Sequence, residues 1–437
     1  MKPYEIKAQH KQLLKSASRE AVADYFTRVP PTRRSTRWIR VPNRYRLNAT
    51  KRYDDDVGAS PSTVDHKQLT EYICESAPTH VIDGWSCLGR AIEATLCGDT
   101  YSAVHFGYYA ELRATMGLLA GEGIGIFNQR HPIVNNKGTT IRFPKTGIVG
   151  THRVIWPLLN YWSSLQRAGE LLDDIVSPHG ISLSQWLTAT KASIPVRAIA
   201  QRWLRTWGVD LAAVDEDHDN RNLSSYRPSQ FRQAPALDAH DTVKFVEDLW
   251  RLFEPGTSKR FPFLERVLLR SARRKTAPTA ATVGDLEALG LGSTEAVDWA
   301  TFLDDTDDPL PLQEAGKQSQ IEGPRCHIQT LSRAALLLFF ATMTVRRLFI
   351  NARYTPATLS FWWKHIGEAR GFWPAGGSPN DPLDLWADIL AALTDSTDWR
   401  ASNPNGSVSL RDWRRAAMPE RDYLTGFELV GIWGLLP

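Results

Sequence analysis

The chain reads as mainly α-helical: a helical bundle with a small β-hairpin insertion and a second, Trp-rich helical domain. Three observations carry that prediction. The stretch Tyr101 to Val134 places His105, Tyr108, Tyr109, Leu112, Met116, Leu119 and Ala120 at three- and four-residue steps, the signature of one helix face, and ends the pattern at Gly121. The run CHIQTLSRAALLLFFATMTVRRLFINA is apolar on nearly all sides from Ala334 to Val345, as a helix buried in a bundle must be. Sixteen Trp in 437 residues indicate large packing surfaces between helices rather than sixteen ligand contacts.

Composition bounds the class. At 437 residues the chain exceeds what one core usually serves, so two domains are expected. With 42% hydrophobic and 23% charged residues, wholesale disorder is excluded. Cys74, Cys87, Cys97 and Cys326 form no CxxC, and Cys326 beside His327 is an isolated pair, so no structural metal is expected. The N-terminus has no apolar leader pattern and the longest apolar run is short for a membrane span, which reads as a reduced, cytoplasmic protein without membrane contact.

In chain order, residues 5 to 26 form a polar amphipathic helix ending before Pro30 and Pro31. Residues 28 to 52 then carry nine basic side chains and no acidic one, with three prolines and no helical period. This extended arm is the most physical functional signal. Arg33, Arg34, Arg37, Arg40, Arg44, Arg46, Lys51 and Arg52 repel one another unless something anionic approaches, and Trp38 and Tyr45 between them suit stacking on bases. The ordinary alternative is that the arm docks onto acidic clusters of its own chain or of a partner, since a net charge of +4 leaves ample internal acid. Residues 54 to 62 read as a linker.

Helices follow from about 64 to 79, 82 to 96 and 100 to 120. Next, Ile133, Val134, Thr140 and Ile141 flank the turn signal Asn135-Asn136-Lys137-Gly138, a β-hairpin pattern. Thr151 is read as the cap of the helix that follows. Helices near 183 to 190, 195 to 208, 211 to 217, 242 to 253 and 260 to 274 complete a body spanning 63–274. Residues 275 to 283, rich in Thr, Ala and Pro, mark the boundary to a C-terminal helical interaction domain, 284–437, while 1–62 holds the N-terminal helix and the arm. In the C-terminal domain Leu337, Phe339, Phe340 and Leu348 are expected in the core, and Arg346 and Arg347 suit the end of their helix by opposing its dipole.

Most catalytic patterns are missing. Gly121, Gly123 and Gly125 follow a helix and open a hairpin, the reverse of a phosphate-binding loop, so they read as a helix stop and a turn. There is no GxSxG, no HExxH and no reactive Cys with a nearby His. The runs Asp54 to Asp56 and Asp304 to Asp308 read as solvated surface rather than a metal centre, and no cofactor is expected. His105, Glu111 and Arg113 read as polar groups satisfied inside a bundle.

One further motif is Arg221-Asn222-Leu223-Ser224-Ser225-Tyr226-Arg227-Pro228. Together with the aromatic-rich helix HFGYYAELRATMGLLA it resembles the HEPN superfamily, helical-bundle proteins of prokaryotic toxin and antiviral defence systems, over roughly residues 64 to 255. Active members cleave RNA with an Arg, commonly followed by a polar residue, standing four to six residues before a His. The resemblance sets Arg221 in place of that Arg, Asn222 in place of its polar neighbour and Tyr226 in place of the His. No His of this chain has an Arg at that spacing, and a tyrosine with a pKa near 10 is a poor base at neutral pH. The resulting expectation is an accessory binding subunit of a defence system. It contacts DNA or RNA through the arm and partner subunits, or a second copy of itself, through helical surfaces. The alternative is a metal-independent ribonuclease using Arg221 and Tyr226, or a His supplied in space, for which His131 and His218 are the nearest candidates.

Overall fold

The computed structural model describes residues 5–29, 37–144, 149–192, 194–208, 238–256, 261–274, 276, 280–317, 325–404, 408–416 and 418–437. Their secondary structure is helical apart from one two-stranded antiparallel sheet. The elements are α1 (Ala8–Ser16), α2 (Arg19–Arg28), α3 (Ala49–Ala59), α4 (His66–Leu96), α5 (Thr100–Gly121), β1 (Pro132–Val134), β2 (Thr140–Arg142), α6 (Thr151–Ser163), α7 (Gln166–Ile175), α8 (Leu183–Ala189) and α9 (Val196–Gly208). After these come α10 (Ala239–Leu252), α11 (Pro262–Arg274), α12 (Val283–Glu287), α13 (Ser293–Asp304), α14 (Leu310–Ala315), α15 (Cys326–Asn351), α16 (Ser360–Arg370), α17 (Trp386–Ser402), α18 (Leu410–Ala416), α19 (Met418–Thr425) and α20 (Glu428–Leu435).

The centre is a three-helix unit of α4, α5 and α15. The expected helix on α5 is present and stops at Gly121, but its burial is wider than one face, running from Ala103 through Gly121 with only a half-buried stripe left open. Gly117 explains the closeness of α4: a Cβ there would lie 3.0 Å from Val81 Cγ2 and 3.2 Å from the Ala77 carbonyl oxygen. The stop is a Schellman turn. Gly123 takes φ +79, its N–H donates to Ala120 O, and the Ile124 N–H donates to Leu119 O. The glycine series then runs beside β1, with Val134 N–H donating to Gly123 O and Gly125 N–H to Pro132 O, as a helix stop requires and a phosphate loop does not. The hairpin pairs Ile133 with Ile141 across a turn in which Asn135 Oδ1 accepts from Lys137 N, Thr139 N and Thr139 Oγ1.

Several expected boundaries move. The two helices expected over 64 to 96 are one, α4, with Pro78 buried inside it. The ring deletes one backbone donor, and packing on both sides offsets that loss. Conversely, the helix expected to begin at Thr151 splits into α6 and α7 at Ser164 and Leu165, and its N-cap is Gly150 rather than Thr151. Residues 54 to 62 are no linker. Asn48 Oδ1 accepts from Lys51 N–H to start α3, which buries Ala49, Tyr53, Asp56 and Val57 at helical spacing.

The boundary expected between 274 and 284 does not divide two cores. A single apolar cluster contains residues from Ile6 to Leu436, because α15 fills the space between α4, α5 and α9 instead of founding a body of its own. Trp250 stacks on Phe427 at 4.2 Å and donates its indole N–H to Leu424 O, joining α10 to the C-terminal helices. The Asp304 to Asp308 run is not plain solvated surface. Arg270, almost fully buried, pairs with Asp305 at 2.7 Å and Asp308 at 3.2 Å, while Arg273 holds Asp304 and Arg274 holds Asp308. The tryptophans act as expected, with Trp85, Trp162, Trp186, Trp413 and Trp433 all fully buried. By length and composition α15 is apolar enough to cross a membrane, yet 94% of its apolar window is buried inside the protein.

Candidate nucleic-acid interface

The arm is where the structure corrects the sequence most. Trp38 and Tyr45, expected to stack on bases, are 6% and 0% exposed. Trp38 lies flat on Phe349 with centroids 5.4 Å apart and 3° between the planes, edged by Phe361. Tyr45 sinks into a second, smaller apolar cluster with Tyr53, Ile73 and Phe127. Its hydroxyl donates to Asp56 Oδ2 at 2.8 Å, and burial together with that carboxylate raises its pKa further above the ordinary phenol value. Burying two large aromatics outweighs leaving them exposed in wait for a ligand.

Their cationic neighbours are partly consumed as well. Arg40 Nε donates to Glu71 at 2.8 Å. Arg44 pairs with Asp56 at 2.6 Å and Arg52 with the same carboxylate oxygen at 3.3 Å. The Asn43 side-chain amide donates to the Gln68 backbone carbonyl and the Arg44 backbone N–H to Gln68 Oε1, pinning the turn against α4. The arm is therefore docked on the chain's own acids, the alternative that the even charge balance kept open. The signal that could have shown it is the Ala49, Tyr53, Asp56, Val57 spacing, which turns one member of the acidic run inward.

What remains outward is Arg37 and Lys51, with Arg46 half-buried; none of the three has an ion-pair partner among the described residues, and the apolar side chains of Val41 (68% exposed) and Leu47 (84% exposed) lie between them. Arg33 and Arg34 lie outside the described residues. So do Arg221, Asn222, Tyr226 and His218.

The half-buried stripe of α5 gathers the other polar groups singled out from sequence. His105 rests on Tyr109 at 5.1 Å, Tyr108 hydroxyl meets His152 Nδ1 at 2.8 Å, and Arg113 Nη1 donates to His80 Nδ1 at 2.9 Å with Asp83 at 3.6 Å. Glu111 pairs with Arg333. These groups satisfy one another, as expected of a bundle. Burial and the Arg113 charge pull the His80 pKa down to about 3, so its ring is a neutral acceptor at physiological pH. His131, a candidate base from sequence, is 0% exposed. Its Nδ1 accepts from Phe127 N–H and its Nε2 donates to Val149 O, while burial lowers its pKa to about 4. It holds the loop before β1 and reaches no solvent, so the spatial-histidine form of the ribonuclease reading loses that residue.

Among the described residues Asp238, His240 and Asp241 offer metal-ligating atoms within 4.8 Å of one another at the start of α10. Asp241 pairs with Arg325, and the Arg400 guanidinium stands 3.4 Å from His240 Nε2, so two fixed cations oppose a metal there. Comparison with protein-family models, with curated proteins and with solved structures finds no match.

Proposed function

We propose that this chain is an accessory binding subunit of a prokaryotic antiviral defence system, contacting nucleic acid through residues 37 to 51 and partner proteins through its helical surfaces. The observation that carries the binding half is the attitude of the arm. Trp38 and Tyr45 root it in the body, which leaves Arg37 and Lys51 outward and Arg46 half-buried, all without counter-charges among the described residues. A docked arm loses little conformational entropy on binding, so fewer phosphate contacts suffice than for a free tail. The choice of binder over enzyme is supported by the histidines at hand, His80 and His131, which are held neutral and used as internal hydrogen-bond partners. The defence setting rests on the HEPN resemblance of residues 64 to 255, in which Tyr226 replaces the general base.

The test is fluorescence anisotropy of labelled single-stranded RNA and duplex DNA across a salt series. Affinity falls with salt by a slope of about 0.9 per neutralised phosphate on the duplex. The combined variant Arg37→Ser, Arg46→Ser, Lys51→Ser flattens that slope by two to three contacts while melting as the parent does. An unchanged slope in the variant refutes the interface.

A further inference from the structure

A second site, unconnected with the arm, opens where the α16 C-terminus and the α19–α20 turn meet α4. It is a cleft of about 530 Å³, within the range that encloses a small organic ligand. We propose that this cleft binds a zwitterion of the amino-acid class with an apolar or aromatic side chain, its carboxylate taken by Arg90 and Arg370 and its ammonium by Glu93 and Asp422.

The floor is built rather than incidental. Arg370 Nη2 donates to Ser86 Oγ at 2.5 Å, and its Nε stands 3.5 Å from Glu428 Oε1. Glu428 is 10% exposed, so its carboxylate is committed to orienting Arg370. Gly89 lets the turn approach: a Cβ there would lie 2.8 Å from Thr425 O. Around that floor the charges have both signs. Arg90 is exposed and packs over the Phe106 ring at 5.8 Å, a partner that leaves its guanidinium edge open. Glu93 is exposed one helical turn further along α4, and Asp422, 82% exposed across the cleft, pairs through Oδ1 with Arg421 at 3.6 Å and keeps its other carboxylate oxygen toward solvent.

Charge decides the ligand class. Two guanidiniums face three carboxylates in the lining, and one of those carboxylates, Asp422, is paired with Arg421, so the site has charges of both signs and no cationic excess, which disfavours a nucleotide carrying several negative charges and suits a molecule bearing one of each sign. The wall of Phe372, Leu385 and Leu429, with Tyr423 45% exposed at the rim, offers apolar surface for the ligand's side chain.

Isothermal titration of the full chain with L-phenylalanine, L-tyrosine and L-tryptophan tests the site, with phenylacetate, phenethylamine and AMP as comparison arms. The expected result is saturable binding of at least one of the three amino acids, weakened about tenfold or more in each single-charge analogue and in each of Arg90→Gln and Glu93→Gln. Both substituted residues are exposed, so the variants melt as the parent does. The proposal is overturned by absence of saturable binding of all three amino acids up to about 10 mM, by equal binding of either single-charge analogue, by tighter binding of AMP, or by amino-acid affinity that neither substitution changes.

Discussion

Glu111 of α5 and Arg333 of α15 form an ion pair at 3.1 Å with both side chains 4% exposed, 222 positions apart in the chain. Such a pair exists only if the two helices share one interior. Removing one partner strands a buried charge, which costs about 3 to 5 kcal/mol, whereas replacing both by apolar residues is close to neutral. Arg333→Met is therefore expected to lower stability by that amount, and Glu111→Leu with Arg333→Met to recover most of it. Urea denaturation followed by far-ultraviolet and tryptophan signals checks this. A single variant as stable as the parent would contradict the shared interior.

Phe340 sits at the middle of α15, fully buried, and its ring meets Phe339 at 5.3 Å and Trp203 at 6.3 Å. Phe340→Ala leaves a cavity lined by α9 and α15, with an expected loss of about 3 to 5 kcal/mol. Differential scanning calorimetry reads it. Because the core is continuous, the whole transition shifts down together instead of leaving one half of the chain at its original midpoint.

Asp56 is the anchor of the arm, accepting from the Tyr45 hydroxyl and pairing with Arg44 and Arg52. Asp56→Ala removes an acceptor held by charged donors, worth about 1.5 to 3 kcal/mol. It is also expected to loosen the arm, so limited trypsin digestion speeds up at Arg40 and Arg44. Unchanged cleavage there would mean that Trp38 alone holds the segment.

Stability falls in mild acid for a definite reason. Burial lowers the pKa of His131 to about 4, and burial with the Arg325 charge lowers that of His327 to about 4. Below the ordinary value of about 6.5 the unfolded chain binds more protons than the folded one, so stability is complete above pH 6.5 and declines as pH falls toward 4. Each ring contributes at most about 3 kcal/mol over that window. His131→Gln keeps an amide donor for Val149 O and is expected to flatten the decline by about one proton. Melting temperature against pH reports it, and an identical slope in the variant would place the titration elsewhere.

On the proposed HEPN reading, the segment Arg221 to Tyr226 is expected to be catalytically silent because Tyr226 cannot accept a proton near neutral pH. Incubation of the chain with labelled RNA in chelator leaves the RNA intact. On the same reading, Tyr226→His creates the Arg, four residues, His spacing of active HEPN members and is expected to gain cleavage that Arg221→Ala then abolishes. Cleavage by the unaltered chain that Arg221→Ala abolishes would reverse the choice of binder over enzyme.

Local pattern alone determined much of this protein. The glycine stop after Ala120, the hairpin around Asn135 and Gly138, and the burial of Leu337, Phe339, Phe340 and Leu348 all follow from periodicity, turn chemistry and hydrophobicity, which act between near neighbours in the chain. Where the apolar surfaces of distant segments go was a tertiary decision. Nothing local tells α15 to pack on α5 rather than found a second core, because an all-round apolar helix is equally content in either place. The same holds for charge. Arg40 and Arg44 read as free cations because Glu71 and Asp56 lie 31 and 12 positions away on other elements, and only the folded chain brings them within ion-pair distance. The candidate site was legible as a basic segment, but which cations face solvent was set by the burial of Trp38 and Tyr45, whose apolar area fixes the segment's orientation on the body.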